Sequence, residues 1–512
     1  LYKVTAETRI AGESVPGLSS RKVTYVSGQG NNMRYEQYAR LADGAWSMTD
    51  ASSYEYDVEN RWVKRTRANG RVYERMMTCC GPLWERDENG VTTSYSYNTA
   101  RQLVETIRSA VADGETMITP ETITSYTRDA LGKITSLRRD AGPMTTVESR
   151  EYDLLGRLIR ETDILGRTTV RSYSGDGLVE TVTTPAGATL ITRKSPSGAV
   201  VRRYGTGQQD ILYTVEATAE GIRTTEAVPG GEGGAPRVVT GSSTVNGFGD
   251  LVRIAAANTL NGENVRTLAY DDKGRLIREQ LADMAPTLYA YDAFGNRTRA
   301  IVALEDEPTI LNSRITDYAY VAESREDGIY RLVSITSYTS SGTPVLQKRA
   351  ALLSALSSVL AGKTVMTDPR GHDTVEWTEY GGGSVRLQKK TVPGVGSVAL
   401  TRVVDGFTTA VTGFDGATAR RQRTYTETGI TYADTDVRGN VFTAVCDIAG
   451  RIISGTDAAG NTTTYAYAQP FDLPTCVTNA LGKTACSVYD IRGRKEAEWL
   501  SLIHISEPTR PY

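Results

Sequence analysis

The chain has 512 residues, and with 58 basic against 60 acidic side chains its formal charge of −2 supplies no field for nucleic acid or an anionic membrane. Two histidines and five irregularly spaced cysteines are too few for His- or Cys-type metal centres, and any nucleophile–histidine site would have to use His372, since His504 lies in an atypical tail. Forty-nine glycines, 28 tyrosines against 6 phenylalanines and only 39% hydrophobic residues point to a polar, turn-rich β chain, with no stretch apolar and long enough to span a bilayer as a helix.

In chain order, residues 1–80 alternate loosely, with turn signals at Asn31-Asn32, Asp43-Gly44 and Asn69-Gly70, and with Tyr54 and Tyr56 ahead of Asp57. The first residues, Leu1-Tyr2-Lys3, already carry this pattern without an initiating Met, as expected of an internal piece of a longer polypeptide. Residues 81–175 are regular short strands. The stretch 176–260 is more dilute, and Pro229-Gly-Gly-Glu-Gly-Gly-Ala-Pro236 reads as a flexible loop. Regularity returns at 265–300. Leu352, Leu353, Leu356, Val359 and Leu360 fall at i, i+1, i+4, i+7 and i+8, which predicts a short helix over 350–361 packed on the sheet. Strands with Gly-rich turns resume at 365–430, and clean repeats run to Trp499. Residues 501–512 lack the turn, phase and composition of everything before them and read as a non-native tail, leaving residues 1–500 as one array.

The repeating unit is clearest at 447–467. Asp447-Ile-Ala-Gly450-Arg451 is followed ten positions later by Asp457-Ala-Ala-Gly460-Asn461 and a β-rich run ending in Tyr465-Ala-Tyr467. An Asp-x-x-Gly step bends the chain because the carboxylate accepts backbone N–H groups just ahead, while Gly adopts a positive φ. The pair recurs at Asp153-Leu-Leu-Gly156-Arg157 and Asp163-Ile-Leu-Gly166-Arg167. Further turns start at Asp87, Asp129, Asp271, Asp292, Asp368, Asp436 and Asp490, with Asn479 in the same role. The aromatics show two phases. Tyr97, Tyr173 and Tyr467 stand seven residues after Gly90, Gly166 and Gly460, whereas Tyr152, Tyr270, Tyr291 and Tyr489 directly precede an Asp.

Tyr152-Asp153-x-x-Gly156-Arg157, Tyr270-Asp271-x-x-Gly274-Arg275, Tyr291-Asp292-x-x-Gly295-Asn296 and Tyr489-Asp490-x-x-Gly493-Arg494 resemble the Rhs family, also called YD-repeat proteins. The match is clearest at 126–173, 265–300 and 436–494. The resemblance implies an all-β fold, an antiparallel hairpin meander spiralling into a large hollow, barrel-like shell. It also implies a secreted or cell-surface bacterial protein that encloses a C-terminal effector of the same polypeptide, lying outside this stretch, and that meets other toxin-complex subunits. In that picture Asp and Gly shape turns, Tyr locks adjacent units, and Arg157, Arg275, Arg451 and Arg494 pair with acids along the rim.

Other readings carry less. A surface adhesion array would stack sugars on Trp46, Trp62, Trp84 and Trp377. A hydrolase has no singled-out carboxylate pair, and Asp271-Asp272 is better explained by turn capping than by calcium. Asp368-Pro369-Arg370-Gly371 resembles the autoproteolytic segment that ends an Rhs shell, but His372 follows where that segment has Leu, and repeats continue beyond it. An ordinary turn is preferred. No catalytic residue, cofactor or metal is expected. Free thiols are the preferred state of the cysteines, although Cys476 and Cys486 could bridge across a hairpin in an oxidising compartment.

Overall fold

The computed structural model describes residues 2–8, 20–41, 43–229, 238–258, 262–282, 284–303, 309, 312–339, 341–468 and 470–500. The expected tail at 501–512 and most of the expected 229–236 loop lie outside these residues. Forty-one strands follow one another in a single antiparallel sheet, each hydrogen-bonded to the one before it. The order is interrupted once: the hairpin Val111–Asp113/Thr116–Thr119 projects between strands Leu103–Arg108 and Thr122–Arg128, which pair directly beneath it.

The hairpins are closed by one recurring bend. At Asp153 the backbone N–H donates to the carbonyl of Arg157 (3.0 Å), and the N–H of Gly156 donates back to the carbonyl of Asp153 (2.8 Å). Gly156 sits at φ +74°. A left-handed residue at the end of a three-residue loop is the bulged hairpin geometry that matches strand twist. A register shift accompanies it, here between Glu151 and Tyr152, and likewise at Tyr56, Tyr97, Tyr270, Tyr291 and Tyr489.

The sheet is one layer thick. The chain exposes 30126 Å², whereas a compact protein of its 55.6 kDa would expose about 18,000 Å². Buried apolar residues form small local clusters, such as Tyr330, Ala350 and Val365, rather than one core. Stability therefore comes from ladders and neighbour-to-neighbour contacts, as in other repeat proteins.

The helix expected at 350–361 is absent. Residues Pro344–Ala355 form a strand against Gly328–Tyr338, followed by a bend and the strand Leu360–Thr367. Alternation decides it: Ala350 is buried, Leu353 is exposed, and Leu356 and Val359 lie in or beside the bend with their side chains exposed. A long neighbouring strand offers eleven residues of ladder, which outweighs the helical propensity of this Ala- and Leu-rich stretch.

Candidate functional site

Two features organise the molecule: the rim where repeat turns line up, and the seam where the sheet meets itself. At the rim each Asp is fully used. Asp153 Oδ1 accepts the N–H groups of Leu155 (3.0 Å) and Arg157 (2.8 Å), and Oδ2 accepts Arg157 Nε at 2.7 Å. Arg157 then lies over the ring of Tyr173, 4.3 Å from its centroid. Arg275 repeats this with Asp271 (2.7 Å) and Tyr291 (5.0 Å), and Arg451 with Asp447 (2.8 Å) and Tyr467 (4.5 Å). Arg494 bonds Asp490 at 2.7 Å. Where Asn replaces Arg, its side-chain amide reaches the same oxygen: Asn296 to Asp292 and Asn461 to Asp457, both at 2.9 Å. The arginines thus hold their own turn and grip the next aromatic. Backbone N–H donation, chiefly from Arg157, holds the Asp153 carboxyl below its usual range, and the Arg275 guanidinium does so for Asp271.

The two phases of tyrosine are one device. Tyr97, Tyr152, Tyr173, Tyr270, Tyr291, Tyr467 and Tyr489 all stand at or just past a strand end. Their hydroxyls donate to the carbonyls of Pro82, Ile134, Leu158, Leu251, Leu276, Ile452 and Pro474, at 2.8–3.2 Å. In six of the seven the acceptor opens the preceding strand (Pro474 lies two residues before its strand), beside the bulge that disturbs the ladder. Gly166, Gly274, Gly295, Gly450, Gly460 and Gly493 share the positive φ, between +73° and +85°. Asp163 makes the same turn and bonds Arg167 at 2.7 Å.

At the seam, residues about one circuit apart meet. Arg108 Nη2 and Thr119 Oγ1 both donate to Asp405, each at 2.6 Å, and Arg402 Nε donates to Asp113 at 2.7 Å. Arg423 reaches the carbonyl of Ile118 and the hydroxyl of Thr119, both at 2.7 Å. Beneath these bonds, Val111 and Ile118 of the projecting hairpin are buried against Val91, Val385, Val404 and Phe407. Further round, Arg167 bonds Asp472 at 2.8 Å and Arg492 bonds the carbonyl of Thr206 at 2.6 Å. Every one of these hydrogen bonds joins residues 286 to 305 positions apart. A constant offset is the mark of a coil that returns over itself. About two dozen strands fill one circuit, so at ~4.8 Å per strand the perimeter is roughly 115 Å, some 35 Å across if round.

Among the described residues the one histidine, His372, sits in a repeat turn. Asp368 makes an ordinary repeat turn: Oδ1 accepts the N–H groups of Arg370 (2.8 Å) and His372 (2.9 Å), while His372 Nδ1 lies 3.3 Å from Oδ2, where Arg or Asn stands elsewhere. Among the described residues no group of three His, Cys, Asp or Glu side chains could hold a metal. No described helix is long and apolar enough to cross a membrane. Cations lie near four of the five tryptophans: Arg21 and Arg40 near Trp46, Arg75 at 3.5 Å from Trp62, Arg86 at 5.8 Å from Trp84 and Lys389 at 5.9 Å from Trp377, while Trp377 also lines an open cavity and Trp499 is exposed. Cys476 and Cys486 form a disulfide across a hairpin, against the preferred reading of free thiols. Their pairing as cross-strand neighbours brings the sulfurs together. Cys79, Cys80 and Cys446 remain free.

These features define a β-repeat protein whose turns carry the repeated chemistry. The sequence profile of the family described as RHS Repeat matches residues 152–189, which hold the turns at Asp153 and Asp163 and the Arg157–Tyr173 stack. Over those residues the chain is similar to the Rhs, or YD-repeat, family. No curated protein sequence matches it. Among solved structures, it is similar to a chain in "Crystal Structure of TcdB2-TccC3" (11% identity, TM-score 0.33), covering 88% of this chain and 28% of that one. It is also similar to a chain in the Photorhabdus luminescens Tc holotoxin pore carrying a TccC3 mutation (13% identity, TM-score 0.33), covering 90% and 28%. The chain thus spans little more than a quarter of the length of the chains it resembles.

Proposed function

We propose that this chain is a stretch of non-catalytic wall in an Rhs-type shell that encloses a C-terminal effector of the same polypeptide, outside the residues described. The observation that carries this reading is the constant offset of the seam, which bends a single-layer sheet into a circuit with both faces solvated. A wall of this kind needs sealed joins rather than a pocket, and the seam supplies them with paired charges over an apolar strip. The structural neighbours, titled as Tc toxin assemblies, agree with a role in a toxin complex. The Cys476–Cys486 disulfide suits an extracellular or surface location. A sugar-binding array has less support, because a guanidinium already lies over the rings of Trp46 and Trp62.

Electron microscopy of the purified chain tests the wall. A ring or coil with a low-density centre is expected, and a solid particle or a flat open sheet would overturn the reading. The cargo is tested on the polypeptide that continues past Trp499. An effector there should resist added protease until the wall is opened; digestion at the rate of the free effector would count against enclosure.

A further inference from the structure

The bend between strands Val72–Met77 and Pro82–Arg86 carries two adjacent cysteines at its tip. It is a Thr-x-x-Gly turn like those at Thr218–Gly221 and Thr426–Gly429, but its two central residues are cysteines, Thr78-Cys79-Cys80-Gly81. The Thr78 N–H and hydroxyl both donate to the carbonyl of Gly81, at 2.7 and 2.8 Å, and Arg61 Nη1 donates to the carbonyl of Thr78 at 2.8 Å. The loop is therefore fastened at its base while its tip carries two sulfurs 2.9 Å apart. Cys79 is exposed and Cys80 half-buried, in contrast to Cys446, whose thiol is buried in the sheet. The hydrogen bond with Cys79 pushes the Cys80 thiol up, and the greater exposure of Cys79 makes it the sulfur that a small disulfide meets first.

We propose that Cys79–Cys80 is a vicinal dithiol site, closed to a cyclic disulfide by exchange with a low-molecular-weight disulfide and, when open, able to chelate a trivalent arsenical. In the closing reaction the Cys79 thiolate attacks one sulfur of the small disulfide, forming a mixed disulfide and expelling the first small thiolate. The Cys80 thiolate then attacks the Cys79 sulfur, forming the intramolecular bond and expelling the second. The two protons lost by the protein thiols are taken up by the two departing thiolates. The protein is oxidised by two electrons and the small disulfide is reduced to two thiols. Closure alters only the loop tip, because the flanking strands are held by their own ladders and by Arg61.

The test treats the native protein with excess glutathione disulfide, blocks remaining thiols, and maps the tryptic peptide 76–86, which contains both cysteines. That peptide should be two hydrogens lighter than the dithiol and free of adduct. After mild reduction the native protein should retain one equivalent of phenylarsine oxide. Cys79→Ser and Cys80→Ser should each abolish retention and carry a single glutathione adduct instead, with the far-ultraviolet circular dichroism spectrum unchanged. Cys446→Ser should retain the arsenical as the parent does. Two glutathione adducts on the parent peptide, or arsenical retention undiminished in both single variants, would overturn the proposal.

Discussion

At the scale of single residues, the turn is a closed electrostatic unit in which carboxylate, guanidinium and phenol each have a partner. Its most stringent position is the glycine. At Gly166, φ is +77° and an added Cβ would meet nothing within 4 Å, so the cost of a side chain is conformational alone. Gly166→Ala should destabilise by about 1 kcal/mol, read from the midpoint of denaturant unfolding. An unchanged midpoint would show that the bend tolerates another backbone state. Acid should act through the carboxylates. Asp153, Asp271, Asp457 and Asp490 are all held below the ordinary aspartate value of 3.8, so their folded forms bind protons less readily than the unfolded chain does. Their contribution is fully present above that value and is lost as pH falls through the depressed folded values. Thermal midpoints should therefore stay level from neutral pH down to about 4 and fall below it; a decline centred near pH 6 would point to other groups.

At the scale of one strand and its turn, the tyrosine hydroxyl completes a ladder that the bulge interrupts. Tyr173→Phe keeps the ring under Arg157 but leaves the carbonyl of Leu158 without the phenol, at a cost of about 1 kcal/mol. Amide hydrogen exchange should quicken in 158–173 and stay unchanged in repeats that neither adjoin this unit nor meet it across the seam. The strands at 175–260 and 300–430 look degenerate in sequence yet pair as regularly as the rest. Their turns use other side-chain oxygens: Ser174 Oγ accepts the N–H of Val179 (2.9 Å), Thr184 Oγ1 that of Ala188 (3.1 Å), and Asn246 Oδ1 those of Phe248 and Asp250 (both 2.9 Å). The turn asks for an acceptor at its first position, and a search for Asp alone passes over such turns. The misread helix at 350–361 fails for the opposite reason: apolar spacing was present, but the burial that would reward it was not.

At the scale of the whole molecule, the projecting hairpin at 111–119 holds one circuit to the next. Both of its strands touch residues nearly 300 positions away, through Asp113–Arg402, Thr119–Asp405 and the buried Val111 and Ile118. Asp405→Asn combined with Arg402→Met should loosen the seam while leaving the strands intact. Small-angle scattering should then report a larger radius of gyration with an unchanged β-sheet spectrum, and limited proteolysis should cut near 111–119 first. Equal dimensions in parent and variant would place the closure elsewhere.

What the residues determined without any fold in view is the local rule. Asp, Gly and a strand-ending Tyr bend and lock the chain because turn capping, positive φ and a phenol's reach act within about twenty residues. That range is short enough for spacing alone to reveal it, and so the all-β meander was legible. Only the tertiary structure decided that Arg157, paired with Asp153, also stacks on Tyr173, that Cys476 and Cys486 bridge, and that residues 286 to 305 positions apart meet across the seam. Closure depends on the twist and tilt summed over about two dozen strands. No single unit encodes that sum, and only two seams meeting in space reveal it.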